Sequence, residues 1–373
     1  MLIGALDDPV ENTRKCLTAL LETAFVHVID APSLALIMPI LERALKDRST
    51  ETKKIATLII SRMYSLTNPK DLTPYLPNIV PGVKVALVDP VPEVRAVSSK
   101  ALGAMVKGMG EASFTDLVPW LLELLHSDTN SVDRAGAAQG LSEVLLALGT
   151  ERLASMMPDF IAGTASPQSH IREGHFMLFV YLPATLLEDF QPYISVIVPP
   201  LLRGLADADE GVRDTSLKAG QCIINHFAET SIELLLPEFE QGLLNDNWRI
   251  RESSVELLGD LLFKLSGLSG KQTTEGGEDD NFGTEEAQKA IVAALGLDRR
   301  DRVLAGLYMA RSDSSLRVRQ NALHVWKIVV THTARTLREI LPTLIGLLLR
   351  CLESFFFFFK KKVNKRRRKN RTM

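Results

Sequence analysis

Residues 89–95 read DPVPEVR, and residues 207–213 read DADEGVR, each with an aspartate six positions before the closing arginine. The same frame recurs as DPVENTR ending at Arg14, DRSTETK at Lys53, DTNSVDR at Arg134, SPQSHIR at Arg172, NDNWRIR at Arg251 and DSSLRVR at Arg319. Successive cations lie 39, 42, 39, 38, 41, 38 and 68 residues apart. The six steps from Arg14 to Arg251 span 237 residues, about 39.5 each. A second marker keeps the same phase. Pro39, Pro81, Pro158, Pro199 and Pro237 each precede their cation by 14 residues, and Pro119 precedes Arg134 by 15.

Between the markers the apolar spacing is helical. In VRAVSSKALGAMVKGM, Val94, Val97, Ala101, Met105 and Met109 recur every three or four residues and share one helical face. The proline segments FTDLVPWLLELL and IELLLPEFEQGL carry the same spacing. An internal period near 40 built from helical pairs is the mark of HEAT or armadillo repeats. The predicted fold is therefore all-α, an α-solenoid of about eight full helical pairs and a truncated ninth. Residues 1–265 hold pairs one to seven, 266–286 an acidic flexible loop, 287–354 the eighth pair and the first helix of a ninth, and 355–373 a disordered basic tail. A proline within a helix removes one hydrogen bond and bends the rod, so each first helix is expected to be kinked. Gly103, Gly140, Gly220 and Gly259 fall inside second helices, where close helix–helix approach would offset their poor helix propensity.

The recurring aspartate opens the tight turn between two helices, a position where its side chain can accept a backbone N–H. The cation is less expected. It falls near the first turn of the second helix, where positive charge opposes the helix dipole by about 0.3–1 kcal/mol. Eight repetitions imply a recurring anionic partner. The structural expectation is a ladder in which each cation bonds turn carbonyls and the turn aspartate of its own or the adjacent repeat. It comprises Asp8, Arg14, Asp47, Lys53, Asp89, Arg95, Asp128, Arg134, Arg172, Asp207, Arg213, Arg251, Asp313 and Arg319, with Ser166 and Asn245 breaking the acidic rule. The alternative is that these arginines bind an anionic ligand.

Composition narrows the class. With 46% hydrophobic, 24% charged and 6% aromatic residues, the chain is too apolar for disorder and suits aliphatic helix packing. Cys16, Cys222 and Cys351 are few, odd in number and far apart, which argues against a disulfide framework and for a reducing compartment. No secretory signal or membrane-spanning run is visible. The net charge of −2 combines nine lysines and arginines after Phe355 with −11 on the residues before it.

The 68-residue step contains SGLSGKQTTEGGEDDNFGTEE, rich in glycine, threonine and acid, which reads as a tolerated surface insertion or a docking or phosphorylation site. Beyond it Arg299, Arg300 and Arg302 stand close together, as a solvated helix start or a contact for phosphate or an acidic partner. Both ends of the chain read as cut, as though it were a fragment of a longer array. The tail FFFFFKKKVNKRRRKNRTM reads as translated noncoding sequence or as a nuclear-localisation or nucleic-acid tail. No phosphate loop, HExxH helix or GxSxG elbow occurs, GLSGK is followed by glutamine, and His170 and His175 do not share a helical face. These features point to a noncatalytic protein without a cofactor.

Longer strings carry a resemblance: DPVENTRKC, DPVPEVRAVSSKALGAMVKGMGE, DRAGAAQGLSEV, NDNWRIRESSVELLGDLLF, EDDNFGT and HVWKIVVTHTARTLREILPTL. Over roughly residues 2–350 the chain resembles the family of very large HEAT-repeat translational activators of general amino-acid control. These are ribosome-associated coactivators of the kinase that phosphorylates the alpha subunit of translation initiation factor 2. The resemblance implies a cytoplasmic scaffold whose partners are the ribosome, the starvation-response kinase and other translation factors, with neither membrane nor direct DNA contact. Part of that family's array is similar to the HEAT region of fungal elongation factor 3. The kinase-docking segment lies toward the family's C-terminal part, mostly beyond this chain. Repeat grammar alone leaves a nuclear transport receptor or a phosphatase scaffold as the alternative.

Overall fold

The computed structural model describes residues 11–22, 28–267 and 285–369. Within them the elements are α1 (Glu11–Glu22), α2 (Ala31–Leu45), α3 (Thr50–Met63), α4 (Pro69–Leu72), α5 (Leu76–Leu87), α6 (Pro92–Met109), α7 (Leu117–Leu125), α8 (Ser131–Leu148) and α9 (Thr150–Gly163). They continue as α10 (Ser169–Leu186), α11 (Ile194–Gly204), α12 (Glu210–Phe227), α13 (Ile232–Leu243), α14 (Trp248–Ser266), α15 (Glu285–Leu295), α16 (Leu297–Ala310), α17 (Leu316–Val329) and α18 (Thr333–Lys369). Among the described residues there is no strand, only a single parallel bridge between Ile29 and Thr67. The all-α expectation holds.

The chain divides into two compact units, residues 1–193 with 207–222, and residues 194–206 with 223–373. In the first, α3, α6, α8 and α10 pack successively into one layer, while α2, α5, α7 and α9 each cover their own partner in that layer. In the second, α14 packs on α17, and α11, α13, α16 and α18 follow one another on the other side.

Local chemistry explains the elements. Helix α8 opens on Asn130, whose side chain accepts the Val132 amide, and buries ten residues from Arg134 to Leu145 because α6, α7 and α10 surround it. Pro39, Pro81, Pro158, Pro199, Pro237 and Pro342 lie inside helices. Pro39, Pro81, Pro158, Pro237 and Pro342 are exposed, so the carbonyl that each deprives of an amide partner can turn to water. Pro119 instead stands in the first turn of α7, where no intrahelical bond is lost. Close approach is equally specific. A Cβ at Gly103 would crowd the Glu143 carbonyl, and one at Gly174 would overlap the Leu125 carbonyl.

Two boundaries differ from the sequence expectation. Ser266 closes α14, Gly267 takes a left-handed cap (φ 69°), and Glu285 and Glu286 begin α15; residues 268–284 of the expected loop lie outside the described residues. The segment 355–369, expected to be disordered, continues α18 to Lys369, because no glycine or proline follows Gly346 to end a helix.

Candidate functional site

Five of the turns between paired helices share one geometry. Asp47 Oδ1 accepts the Ser49 amide at 2.8 Å, Asp89 Oδ1 the Val91 amide at 3.0 Å, Asp207 Oδ1 the Asp209 amide at 2.9 Å and Asp313 Oδ1 the Ser315 amide at 2.7 Å. Asn245 Oδ1 does the same for the Asn247 amide at 2.9 Å, which shows why asparagine serves there: the turn needs an acceptor oxygen, not a charge.

Each arginine then closes its own turn. Arg95 Nη1 donates to the carbonyls of Asp89 and Pro90 at 2.8 and 2.9 Å, and Arg172 Nη1 to Ser166 and Pro167 at 2.8 and 3.0 Å. Arg213 bonds Asp207 and Ala208, Arg251 bonds Asn245 and Asp246, and Arg319 bonds Asp313 and Ser314 in the same way, at 2.6–3.1 Å. Arg134 reaches the Ser127 carbonyl at 2.7 Å. These carbonyls follow the C-terminus of a first helix, the negative end of its dipole. The cation stands at the start of one helix but places its charge at the end of another.

The carboxylates pair across repeats rather than within them. Arg172 grips Asp207 bidentately at 2.8 and 2.7 Å, Arg251 grips Asp313 at 2.6 and 2.9 Å, and Lys53 lies 3.7 Å from Asp89. Each acid thus meets the cation of the preceding repeat. At one rung the acid is different: the turn ahead of Arg134 carries Ser166, and Arg134 Nη2 meets Glu173 Oε2 at 2.6 Å instead, while Asp128, the acid expected opposite Arg95, is exposed and takes no part in the ladder. Arg14 is exposed on α1, and Asp8 lies outside the described residues. Burial pushes the Asp207 carboxyl upward, but bonds from Arg172 and the Asp209 amide, with the charges of Arg172 and Arg213, hold it below the usual carboxylate range. Asp313 is held low by the same balance, with Arg251 as its partner.

Arg299, Arg300 and Arg302 do not form one patch. Arg299 takes both oxygens of Glu233 at 2.5 Å and Arg302 lies 3.3 Å from Glu240, both acids on α13. Arg300 is buried and turns the other way, to Asp301 at 2.8 Å and Glu339 at 2.9 Å. A helix rotates its side chains by roughly 100° per residue, so positions three apart share a face and the residue next to the first does not.

A histidine pair went unread in the sequence. His126 Nε2 and His175 Nε2 lie 3.0 Å apart although the residues are 49 positions apart in the chain. Burial, with His126 adding to it, pushes His175 down to about 4, so both rings are neutral near pH 7 and one donates to the other. Among the described residues no three histidine, cysteine, aspartate or glutamate side chains gather as a metal site. No helix among them is long and apolar enough to cross a membrane.

The repeat geometry has known counterparts. Residues 12–116 match the elongation factor 3/GNC1 HEAT repeat, and residues 134–266 match the elongation factor 3 N-terminal HEAT repeat. The chain belongs to the elongation factor 3/GNC1 HEAT family. Within that family it is 62% identical over 358 residues to the stalled ribosome sensor GCN1 of Mus musculus, covering 95% of this chain and 13% of that protein. It is 45% identical over 354 residues to the eIF-2-alpha kinase activator GCN1 of Saccharomyces cerevisiae, again covering 95% of this chain and 13% of that protein. Elongation factor 3 of Mycosarcoma maydis is 37% identical over 210 residues, 55% of this chain and 19% of that protein. The chain therefore spans about one-eighth of the length of its GCN1 relatives. Among solved structures, importin beta overlaps 83% of this chain and 38% of its own, at 16% identity and a TM-score of 0.42.

Proposed function

We propose that this segment is a noncatalytic helical-repeat scaffold in cytoplasmic translational control. It binds ribosomes and supports activation of the kinase that phosphorylates initiation factor 2 alpha during amino-acid starvation. The observation that carries the reading is continuous identity, 62% across 95% of the chain, to a protein named as a stalled ribosome sensor; a relative at 45% is named as an activator of that kinase. The turn chemistry supports a scaffold role. Carbonyl-capping arginines and cross-repeat ion pairs tie neighbouring helical pairs together within each compact unit, Arg172 to Asp207 in the first and Arg251 to Asp313 in the second, which suits a part that presents surface rather than one that performs chemistry.

The test is co-sedimentation of the purified chain with ribosomes through a sucrose cushion at about 0.15 M and about 0.3 M salt. Retention at both concentrations is expected, because shape-complementary contacts outlast the screening of surface charge. Loss of all binding at the higher salt, or capture of transport cargo or a phosphatase in preference to ribosomes, would replace this reading.

A further inference from the structure

Helices α15, α16 and α18 enclose a cleft of about 490 Å³, a size typical of ligand pockets. Its floor carries Arg300, whose side chain is only 8% exposed. One arm of that guanidinium is held by Asp301; the other points across the cleft to Glu339 on α18. Glu339 is 39% exposed, and both of its oxygens are taken, Oε2 by Arg300 at 2.9 Å and Oε1 by Arg335 at 3.2 Å. The cleft therefore already holds a carboxylate between two guanidinium groups, supplied by a half-exposed side chain.

The remaining walls suit a peptide. Lys289 adds a third cation, against Glu285 as the one acid besides Glu339. Leu297, 62% exposed, stands with Val292 as an uncovered apolar wall. A buried arginine otherwise lies in the turn ladder, where it satisfies backbone carbonyls; Arg300 has no such duty and faces open space.

We propose that this cleft binds an acidic peptide segment of a partner protein, an acidic side chain displacing Glu339 from Arg300 and Arg335 while a neighbouring apolar side chain covers Leu297. A phosphate alone would leave most of the volume and the apolar wall unused. The proposal is independent of ribosome binding, and its test contains no ribosomes. The hydrogen bond from Arg300, foremost, and the charges of Arg300 and Arg335 hold the Glu339 carboxyl below its ordinary range, so near pH 7 the exchange is one carboxylate for another.

The experiment is fluorescence anisotropy of a fluorescein-labelled seven-residue peptide of leucine and glutamate, titrated with the purified full chain. Saturable binding is expected. Glu339→Gln should tighten it by about threefold, because the internal competitor loses its charge. Arg335→Gln and Lys289→Gln should each weaken it by about fivefold, and Leu297→Ala by about threefold. Arg338→Gln, an exposed cation on α18 outside the cleft, should change it less than about twofold. Circular dichroism confirms that each variant is folded. The proposal is overturned by an absence of saturable binding to the unaltered chain, by Arg338→Gln weakening binding as much as Arg335→Gln, by failure of Glu339→Gln to tighten it, or by displacement of the peptide with polyuridine.

Discussion

Replacing Arg172 with methionine removes the cross-repeat ion pair together with the carbonyl bonds of its own turn, because methionine keeps an apolar stem of similar reach and has no donor. The arginine makes four bonds, two to the Asp207 carboxylate and two to the carbonyls of Ser166 and Pro167. Its side chain is 16% exposed and that of Asp207 13%, so the pair is mostly withdrawn from water. Breaking a fully buried pair costs about 3–5 kcal/mol; with this residual exposure about 2–3 kcal/mol is expected. Asp207→Asn keeps the turn bond to the Asp209 amide, as Asn245 does naturally, and should cost about 1–2 kcal/mol. The double variant should then lose less than the two single losses combined, with a coupling of about 1–2 kcal/mol. Urea unfolding followed by far-ultraviolet circular dichroism and fitted to a nearest-neighbour repeat scheme measures it.

A pH arm sharpens this test. The Asp207 carboxyl is lowered on folding, so its stabilisation is complete above the unfolded value near 4 and fades as pH falls through the lower folded value. The stability difference between the unaltered chain and Asp207→Asn should stay level from about pH 7 to 5 and shrink below about 4. A coupling below about 0.3 kcal/mol, or a difference unchanged at low pH, would refute the ladder as a source of stability.

His175 has its folded pKa lowered to about 4, so the unfolded chain binds the extra proton first, and the neutral ring's contribution is lost as pH falls from about 6.5 toward 4. A His175→Gln chain should lose up to about 3 kcal/mol less over that interval than the unaltered chain, and an NMR titration should find His175 neutral at pH 5.5; a midpoint near 6.5 would contradict the buried pairing with His126. Gly174→Ala improves helix propensity by about 1 kcal/mol but forces a Cβ onto the Leu125 carbonyl, so a net loss of about 2 kcal/mol or more is expected in thermal unfolding, and a gain would show that α7 and α10 can separate freely.

Some of this molecule could be read directly. Covalent spacing alone makes Pro81 and Arg95 recur with their counterparts every 39 or so residues, and a repeating unit needs no tertiary information to be recognised. The turn aspartate was equally legible, since its bond to an amide two residues on is local. The pairing of Arg299 with Arg302 on one face, and of Arg300 on another, was available from helical rotation and was missed by treating the three as one cluster.

What the chain order could not decide is which partner each charge finds. Asp207 stands six residues before Arg213 and 35 after Arg172, and both arginines fit the sequence grammar. Stacking gives Arg172 the carboxylate and leaves Arg213 the carbonyls of the same turn. Glu173 serving Arg134 where the next turn carries Ser166 instead of an acid, the meeting of His126 with His175, and the Glu339 carboxylate lying across the α16–α18 cleft arise in the same way. Period and turn type are short-range properties of a covalent chain, whereas long side chains choose among acceptors only after packing has set distances of about 3 Å between residues far apart in sequence.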